Sequence, residues 1–311
     1  MRAAIDGPRA ETTGLMPPGQ AEVGILGTAR GEQTILLQRA LKARGASVQI
    51  IHPKKLSCWL PSVGVTGVTD NEETVRLRDL RGLVVRWLPG GSLEQVVYRL
   101  NVLHRLEQAD LRVINSADTL ERTVDKHYTT SLLASAGLPV PRTLVTERYD
   151  DAMRAVREWG SVVIKPVFGS QGQGMVRADD PNTAHRVLRA LEMGHYLYYV
   201  QEYLPHEGVD YRLFVINGRV RGAMRRRSAG WCTNIACGGR AEAFRAPDSF
   251  CQLALASSEL LGADYLGVDI LCSGGKPFLL EANGIPGWLG LQTVVECDIA
   301  DELAAYVLGI C

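Results

Sequence analysis

Asp269, Glu281 and Asn283 have the residue types and spacing of a hard-oxygen cation site. The stretch from Gly267 to Gly284 reads as a β-hairpin, two apolar runs on either side of a Ser273-Gly274-Gly275-Lys276 turn. Glu281 and Asn283 are two apart and so project from one face of a strand. Folding the hairpin about Gly275 puts Asp269 roughly opposite Glu281. Directly opposed like charges weaken a ladder. Two acids and an amide on one face therefore call for a cation, and oxygen ligands of this kind suit Mg²⁺. The alternative reading is three polar residues on the wet face of a hairpin.

A second cluster has the chemistry of phosphate binding. A strand delivers Lys165, and a turn with three glycines follows, through Gly169, Ser170, Gln171, Gly172, Gln173 and Gly174. Glycines let backbone N–H groups surround anionic oxygens, and the lysine adds a point charge. No Gly-Lys-Ser/Thr follows and no helix is expected to start there, so this is not a Walker A loop. A merely flexible turn is the competing reading. Further on, Tyr199 to Leu204 reads as an apolar strand ending in Gln201, Glu202 and Tyr203, whose backbone and carboxylate could meet an adenine amino group and a ribose. Asp210 and Arg212 come next, then Met224-Arg225-Arg226-Arg227 and Asn234. Guanidinium groups suit phosphate and carboxylate oxygens. A solvated basic edge strand would show the same residues.

Strand–helix alternation has to position these groups. Strands are expected at 23–26, 48–51, 82–87 and 113–115, with helices over 33–44 and 93–107. That order implies a parallel sheet flanked by helices. Gly24, Gly27 and Gly31 do not fit G-x-G-x-x-G, so this unit reads as scaffold rather than a dinucleotide site. A helix over 125–136 ends at Gly137, and prolines 139 and 141 enforce an extended connection. Strands and helices are mixed thereafter: strands at 162–165, 198–202, 212–216 and 220–225, helices around 182–193 and 250–261, and the hairpin. The expected organisation is a loose tail at 1–20, an α/β unit over 21–115 and an α+β unit over 116–311, itself in lobes of about 116–203 and 204–311.

The 311 residues leave room for roughly two domains. Lys+Arg and Asp+Glu are equal at 34 each, so no basic excess marks a nucleic-acid or membrane-surface partner. No apolar run is long enough to span a bilayer, and the N-terminus has no apolar core of a signal peptide. The seven cysteines lack CxxC spacing and read as reduced thiols of a cytoplasmic protein.

Taken in order, these clusters resemble the ATP-grasp superfamily, and the RimK-type glutamate ligases within it, over about residues 115 to 308. The resemblance implies an ATP-grasp fold with an N-terminal parallel-sheet (pre-ATP-grasp) domain. It implies an ATP-dependent carboxylate–amine ligase that forms an amide through an acyl phosphate. By position, Lys126 and Lys165 match the nucleotide-contacting lysines, and Gly169 to Gly174 the mobile loop over the phosphates. Gln201, Glu202, Tyr203 and Leu204 match the adenine-contacting connection, Asp210 a residue near the ribose, and Asn234 one near nucleotide and metal. Asp269, Glu281 and Asn283 match the ligands of Mg²⁺ (or Mn²⁺), with two ions expected and Glu281 bridging them. Arg226 and Arg227 match an arginine pair facing the reacting phosphate, with Arg212 beside it.

The chain departs from the family pattern on the acceptor side. Ile-Glu-Arg-Arg of the family stands here as Met224-Arg225-Arg226-Arg227, and Cys232 replaces an arginine. The run from Arg86 to Gln95 is similar to relatives that add glutamate to a pterin cofactor such as tetrahydromethanopterin. The expected partners are a small carboxylate acceptor and an amino acid, glutamate foremost, in a homodimer or homotetramer. A protein C-terminal or peptide ligase and a non-catalytic nucleotide-binding module are the alternatives.

Overall fold

The computed structural model describes residues 22–60, 64–169 and 172–311. The tail expected at 1–20 lies outside the described residues, as do Ser170 and Gln171 of the glycine loop.

The first part of the chain forms β1 (Glu22–Leu26), α1 (Glu32–Ala43), β2 (Ser47–Trp59), β3 (Gly64–Thr69), β4 (Thr74–Arg76), β5 (Gly82–Val85), α2 (Leu93–Glu107) and β6 (Arg112–Ile114). Their sheet has the order β4-β3-β2-β1-β5-β6. β1 is parallel to β2 and β5, and β5 is parallel to β6, as the alternation predicts. Val23, Ile25 and Leu26 have no exposed surface because helices cover both faces. The sheet also gains an antiparallel edge, β3 and β4, which the sequence does not announce. Helix α2 begins at a capping box in which Ser92 and Gln95 satisfy each other's backbone N–H.

Helices α3 (Ala117–Val124) and α4 (Lys126–Ser135) lead into a four-stranded antiparallel sheet. Its strands are β7 (Thr143–Thr146), β8 (Val162–Lys165), β9 (Val176–Ala178) and β10 (Tyr198–Glu202), in the order β7-β10-β8-β9. Helices α5 (Tyr149–Trp159) and α6 (Pro181–Met193) pack on one face through Met153, Val156, Ala184 and Leu188.

A five-stranded antiparallel sheet follows, built from β11 (Val209–Ile216), β12 (Arg219–Arg227), β13 (Arg240–Ala243), β14 (Tyr265–Ser273) and β15 (Lys276–Asn283), in the order β13-β12-β11-β14-β15. Leu213 and Val215 point to helix α7 (Asp248–Leu261) and pack with Ala254 and Leu261. The opposite face changes character along its length. Phe214, Ile216 and Met224 pack against the first unit with Trp288, while Asp210, Arg212 and Arg226, in the same alternation, form a polar patch. One face thus serves as a dry junction at one end and a charged floor at the other.

The short helix α8 (Leu289–Gln292) and helix α9 (Ile299–Ile310) complete the chain. Ile299, Leu303 and Val307 of α9 pack into the same core as Leu37 and Leu41 of α1. Asn115, fully buried at the end of β6, locks the layers together. It donates to the carbonyls of Tyr265 and Gly284 (both 2.7 Å) and accepts from the N–H groups of Asp264 (2.7 Å) and Tyr265 (3.2 Å).

Candidate active site

The cleft lies between the four- and five-stranded sheets, a space of about 720 Å³ that includes its open mouth. One wall carries Val163, Lys165 and Gln201 from β8 and β10, followed by Glu202, Tyr203 and Leu204. The other carries Asp210, Asp269, Leu271 and Glu281 from β11, β14 and β15, and the loop segment from Trp231 to Asn234. Lys126, at the N-terminus of α4, closes one end.

The hairpin turns with Ser273 opposite Lys276, one residue off a fold about Gly275, and a bulge between Asp269 and Ile270 restores the expected pair. Asp269 is the direct partner of Glu281, and Asn283 stands opposite Gly267. Gly267 is needed there, because a Cβ would fall 2.7 Å from Pro286. Asp269 is buried, and its charge is balanced on the neighbouring strands. Arg212 grips it with two bonds, Nε to Oδ1 at 2.6 Å and Nη2 to Oδ2 at 2.8 Å. Arg226 Nη2 lies 2.9 Å from Oδ2, and its Nε donates to Asp210 Oδ1 at 2.7 Å. Burial pushes the Asp269 carboxyl up, but the two guanidinium groups outweigh it and hold it below the usual carboxylate range.

Glu281 keeps a freer carboxylate, 3.9 Å from Lys126 Nζ. Asn283 Oδ1 accepts from Ile285 N at 3.0 Å, which leaves one lone pair. Two carboxylates and an amide oxygen on one face, with spare lone pairs, fit a hard divalent cation.

Lys165 Nζ donates to Gln201 Oε1 at 2.6 Å, and Gln201 Nε2 donates to Thr143 Oγ1 at 2.9 Å. Gln201 is therefore buried as the rest on which Lys165 sits. Burial lowers the Lys165 ammonium to about 8; the Glu281 carboxylate opposes that shift and Lys126 adds to it. Lys126 Nζ donates to the carbonyl of Gly169, tying the helix start to the glycine loop. Gly169, Gly172 and Gln173 line a smaller hollow with Lys126 and Glu281. Gly172 has φ +76° and Gly174 +75°, conformations that favour glycine.

Several expected roles are placed differently. The Glu202 carboxylate accepts from Arg142 N (2.9 Å) and Nε (2.6 Å), so Glu202 braces the strand end. Asp210 pairs with Arg226 within the buried patch. Arg226 and Arg227 do not act as a pair: Arg226 is buried beneath Asp269, while Arg227 joins Arg225 on the opposite face against Glu242. Adjacent strand residues face opposite ways. The cysteines are not all reduced, since Cys232 and Cys237 form a disulfide with Cα atoms 6.1 Å apart, a span that suits the bond. Cys58, Cys251, Cys272, Cys297 and Cys311 are free thiols.

The sequence reading missed His206, Trp231 and Thr233, which line the cleft from irregular segments with no periodicity to mark them. It also missed Arg177, whose guanidinium lies 3.8 Å from the Tyr203 ring centroid.

Two antiparallel sheets that present lysines and carboxylates to one cleft, behind a parallel-sheet unit, define an ATP-grasp protein. A family model, RimK-like ATP-grasp domain, matches residues 123–307, and the chain belongs to that family. The tetrahydromethanopterin:alpha-L-glutamate ligase of Methanococcus maripaludis is 30% identical over 286 residues, covering 90% of this chain and 96% of the relative. The enzyme of the same name from Methanosarcina acetivorans is 29% identical over 266 residues, covering 76% and 82%. The crystal structure of a RimK domain protein ATP-grasp from Sphaerobacter thermophilus superposes with a TM-score of 0.72 at 23% identity, covering 93% of this chain and all of that one. This chain is accordingly an ATP-grasp ligase of the acid–amino-acid class. No described helix is long and apolar enough to cross a membrane.

Proposed function

We propose that the protein uses Mg·ATP to activate a carboxylate on a small, pterin-like acceptor and joins it to the amine of L-glutamate. The observation that carries this reading is the meeting of Lys126 and Lys165 with Asp269 and Glu281 in one cleft. Cationic side chains on one wall match the phosphates, and carboxylates on the other match a cation that accompanies them. The names and the coverage of the methanogen relatives support glutamate and a pterin-like acceptor.

In this reading Tyr203, Leu204 and the backbone at Glu202 receive the adenine, and Lys165, steadied by Gln201, holds the phosphates. Gly169, Gly172, Gln173 and Gly174 cover them, and Asn234 approaches from the facing loop. Asp269, Glu281 and Asn283 would hold the metal. Bound Mg²⁺ supplies charge neutralisation at the phosphate oxygens. The acceptor carboxylate attacks the γ-phosphorus and ADP leaves. The glutamate amine then attacks the acyl carbon, an amide bond forms, and phosphate departs with loss of a proton from nitrogen. No protein nucleophile is required. The chain's contribution is positioning, charge balance and exclusion of water from the acyl phosphate.

The test is phosphate release from Mg·ATP with pooled carboxylates and amino acids, and mass spectrometry of the products. ADP with a pterin-like acceptor heavier by one glutamyl residue is the expected result. A modified peptide or protein tail would replace the acceptor. Nucleotide binding without turnover in every pool would replace the ligase reading with a binding module.

A further inference from the structure

We propose that Cys232 and Cys237 form a reversible thiol–disulfide switch built into the wall of the nucleotide cleft. The inference rests on the reading of that cleft as the nucleotide site. The disulfide closes a ring around Asn234, the one residue of this loop whose side chain is assigned to nucleotide and metal. Within the ring, a single 3₁₀ turn, Ile235–Cys237, is held by the Asn234 carbonyl, which accepts from Cys237 N at 2.9 Å and Gly239 N at 3.1 Å. The same sulfurs meet the glycine loop from the other side. A Cβ on Gly172 would lie 3.0 Å from Cys237 Sγ, 3.2 Å from Cys232 Sγ and 3.0 Å from Asn234 Nδ2. The disulfide and Asn234 therefore form the surface against which Gly172 rests. The other five cysteines are single thiols, and among the described residues this is the one bonded pair.

The chemistry requires a dithiol as reductant. One of its thiolates attacks a sulfur of the pair and releases the other as a thiolate, forming a mixed disulfide. Its second thiol then displaces the protein sulfur and leaves as a cyclic disulfide. Two electrons and two protons pass to Cys232 and Cys237, and the bond between them breaks. Without the cross-link the 232–237 segment regains backbone freedom, and Asn234 and the seat of Gly172 must be ordered again when nucleotide binds. The oxidised form is the better binder, by about tenfold, the ordering cost of roughly one residue of backbone.

The experiment is titration of Mg·ADP into full-length protein, air-oxidised or treated with dithiothreitol, beside Cys237→Ser. Hydrogen exchange at 172–175 and 232–239 is measured without nucleotide. Oxidised wild type is expected to bind about tenfold tighter than reduced wild type. Cys237→Ser should match the reduced protein and ignore dithiothreitol, and reduction should speed exchange in both segments. Equal affinity of the two wild-type forms, a dithiothreitol response that survives in Cys237→Ser, or unchanged exchange would each overturn the switch. No Mg·ADP binding in either form, with exchange still responding to reduction, would support the redox coupling and overturn the nucleotide reading instead.

Discussion

Asp210 and Asp269 lie on neighbouring antiparallel strands and share one guanidinium, that of Arg226, which is 2% exposed. Arg212 completes an alternating chain of two acids and two bases beneath the proposed metal site. Removing one member leaves buried charge uncompensated, which costs more than the intact pair contributes. Arg226→Ala should therefore destabilise the protein by about 3–5 kcal/mol and abolish turnover. Arg227→Ala, on the exposed face, should shift stability by no more than about 0.5 kcal/mol. Urea unfolding of the two variants checks this, and similar losses in both would refute the division of faces.

Glu281 stands apart from that charge network. Glu281→Gln keeps the shape and relieves the repulsion with Asp269, so unfolding stability should hold within about 1 kcal/mol. Phosphate release should fall by at least about a hundredfold. Turnover at the parental rate would remove Glu281 from the metal set.

Lys165 gives a pH signature. Its ammonium is lowered to about 8 because burial disfavours the charge, against the pull of Glu281 and with the push of Lys126. Below that pH the lysine is charged in the free protein; above it the charge is lost. Mg·ADP affinity should be level below about pH 8 and weaken above it, because the nucleotide then has to recharge the amine. The sign for folding is opposite. An unfolded lysine keeps its proton to about 10.4, so between the two values the unfolded chain holds more protons, and this group's contribution to stability rises with pH. Lys165→Arg should flatten the binding profile between pH 7 and 10, because arginine stays charged. A wild-type profile flat through pH 9 would sink the assignment.

Asn115→Ala should be among the most damaging single changes. It strands four buried backbone groups at the start of β14 and just past the end of β15, each at about 1–3 kcal/mol. The urea midpoint should fall steeply, whereas a loss below about 2 kcal/mol would mean that the layers are not held there.

Much of this arrangement was legible in the chain. The opposition of Asp269 and Glu281 was expected from a fold about Gly275, but the two-glycine turn with a strict period of two would set Asp269 against Leu280, and the bulge that supplies the extra residue has no signal in the apolar runs. The parallel strands were legible because burial on both faces leaves continuous apolar runs. What the chain did not show was whatever depends on partners distant in sequence. Gln201 looked like a ligand contact because nothing in Tyr199–Leu204 shows that Lys165 lies across the ladder. Glu202 looked free because Arg142 is 60 positions away. Strand β13 carries arginine and glutamate in four residues and has no apolar alternation to announce it. Arg226 and Arg227 were misread for another reason. Strand alternation alone separates them, but the family resemblance treated them as one pair.

The position of α9 has a consequence for how the molecule is made. Its apolar stripe fills the core that α1 and β1 began, so those two elements wait for a helix far along the chain before their hydrophobic surface is closed. During vectorial synthesis the growing N-terminal sheet must remain chaperoned, or tolerate an uncovered flank, until residues 299–310 leave the ribosome. Chains cut short before that helix would carry every residue of the candidate cleft and still lack the wedge that seals the core of β1 and α1, which makes them natural targets for quality-control proteolysis.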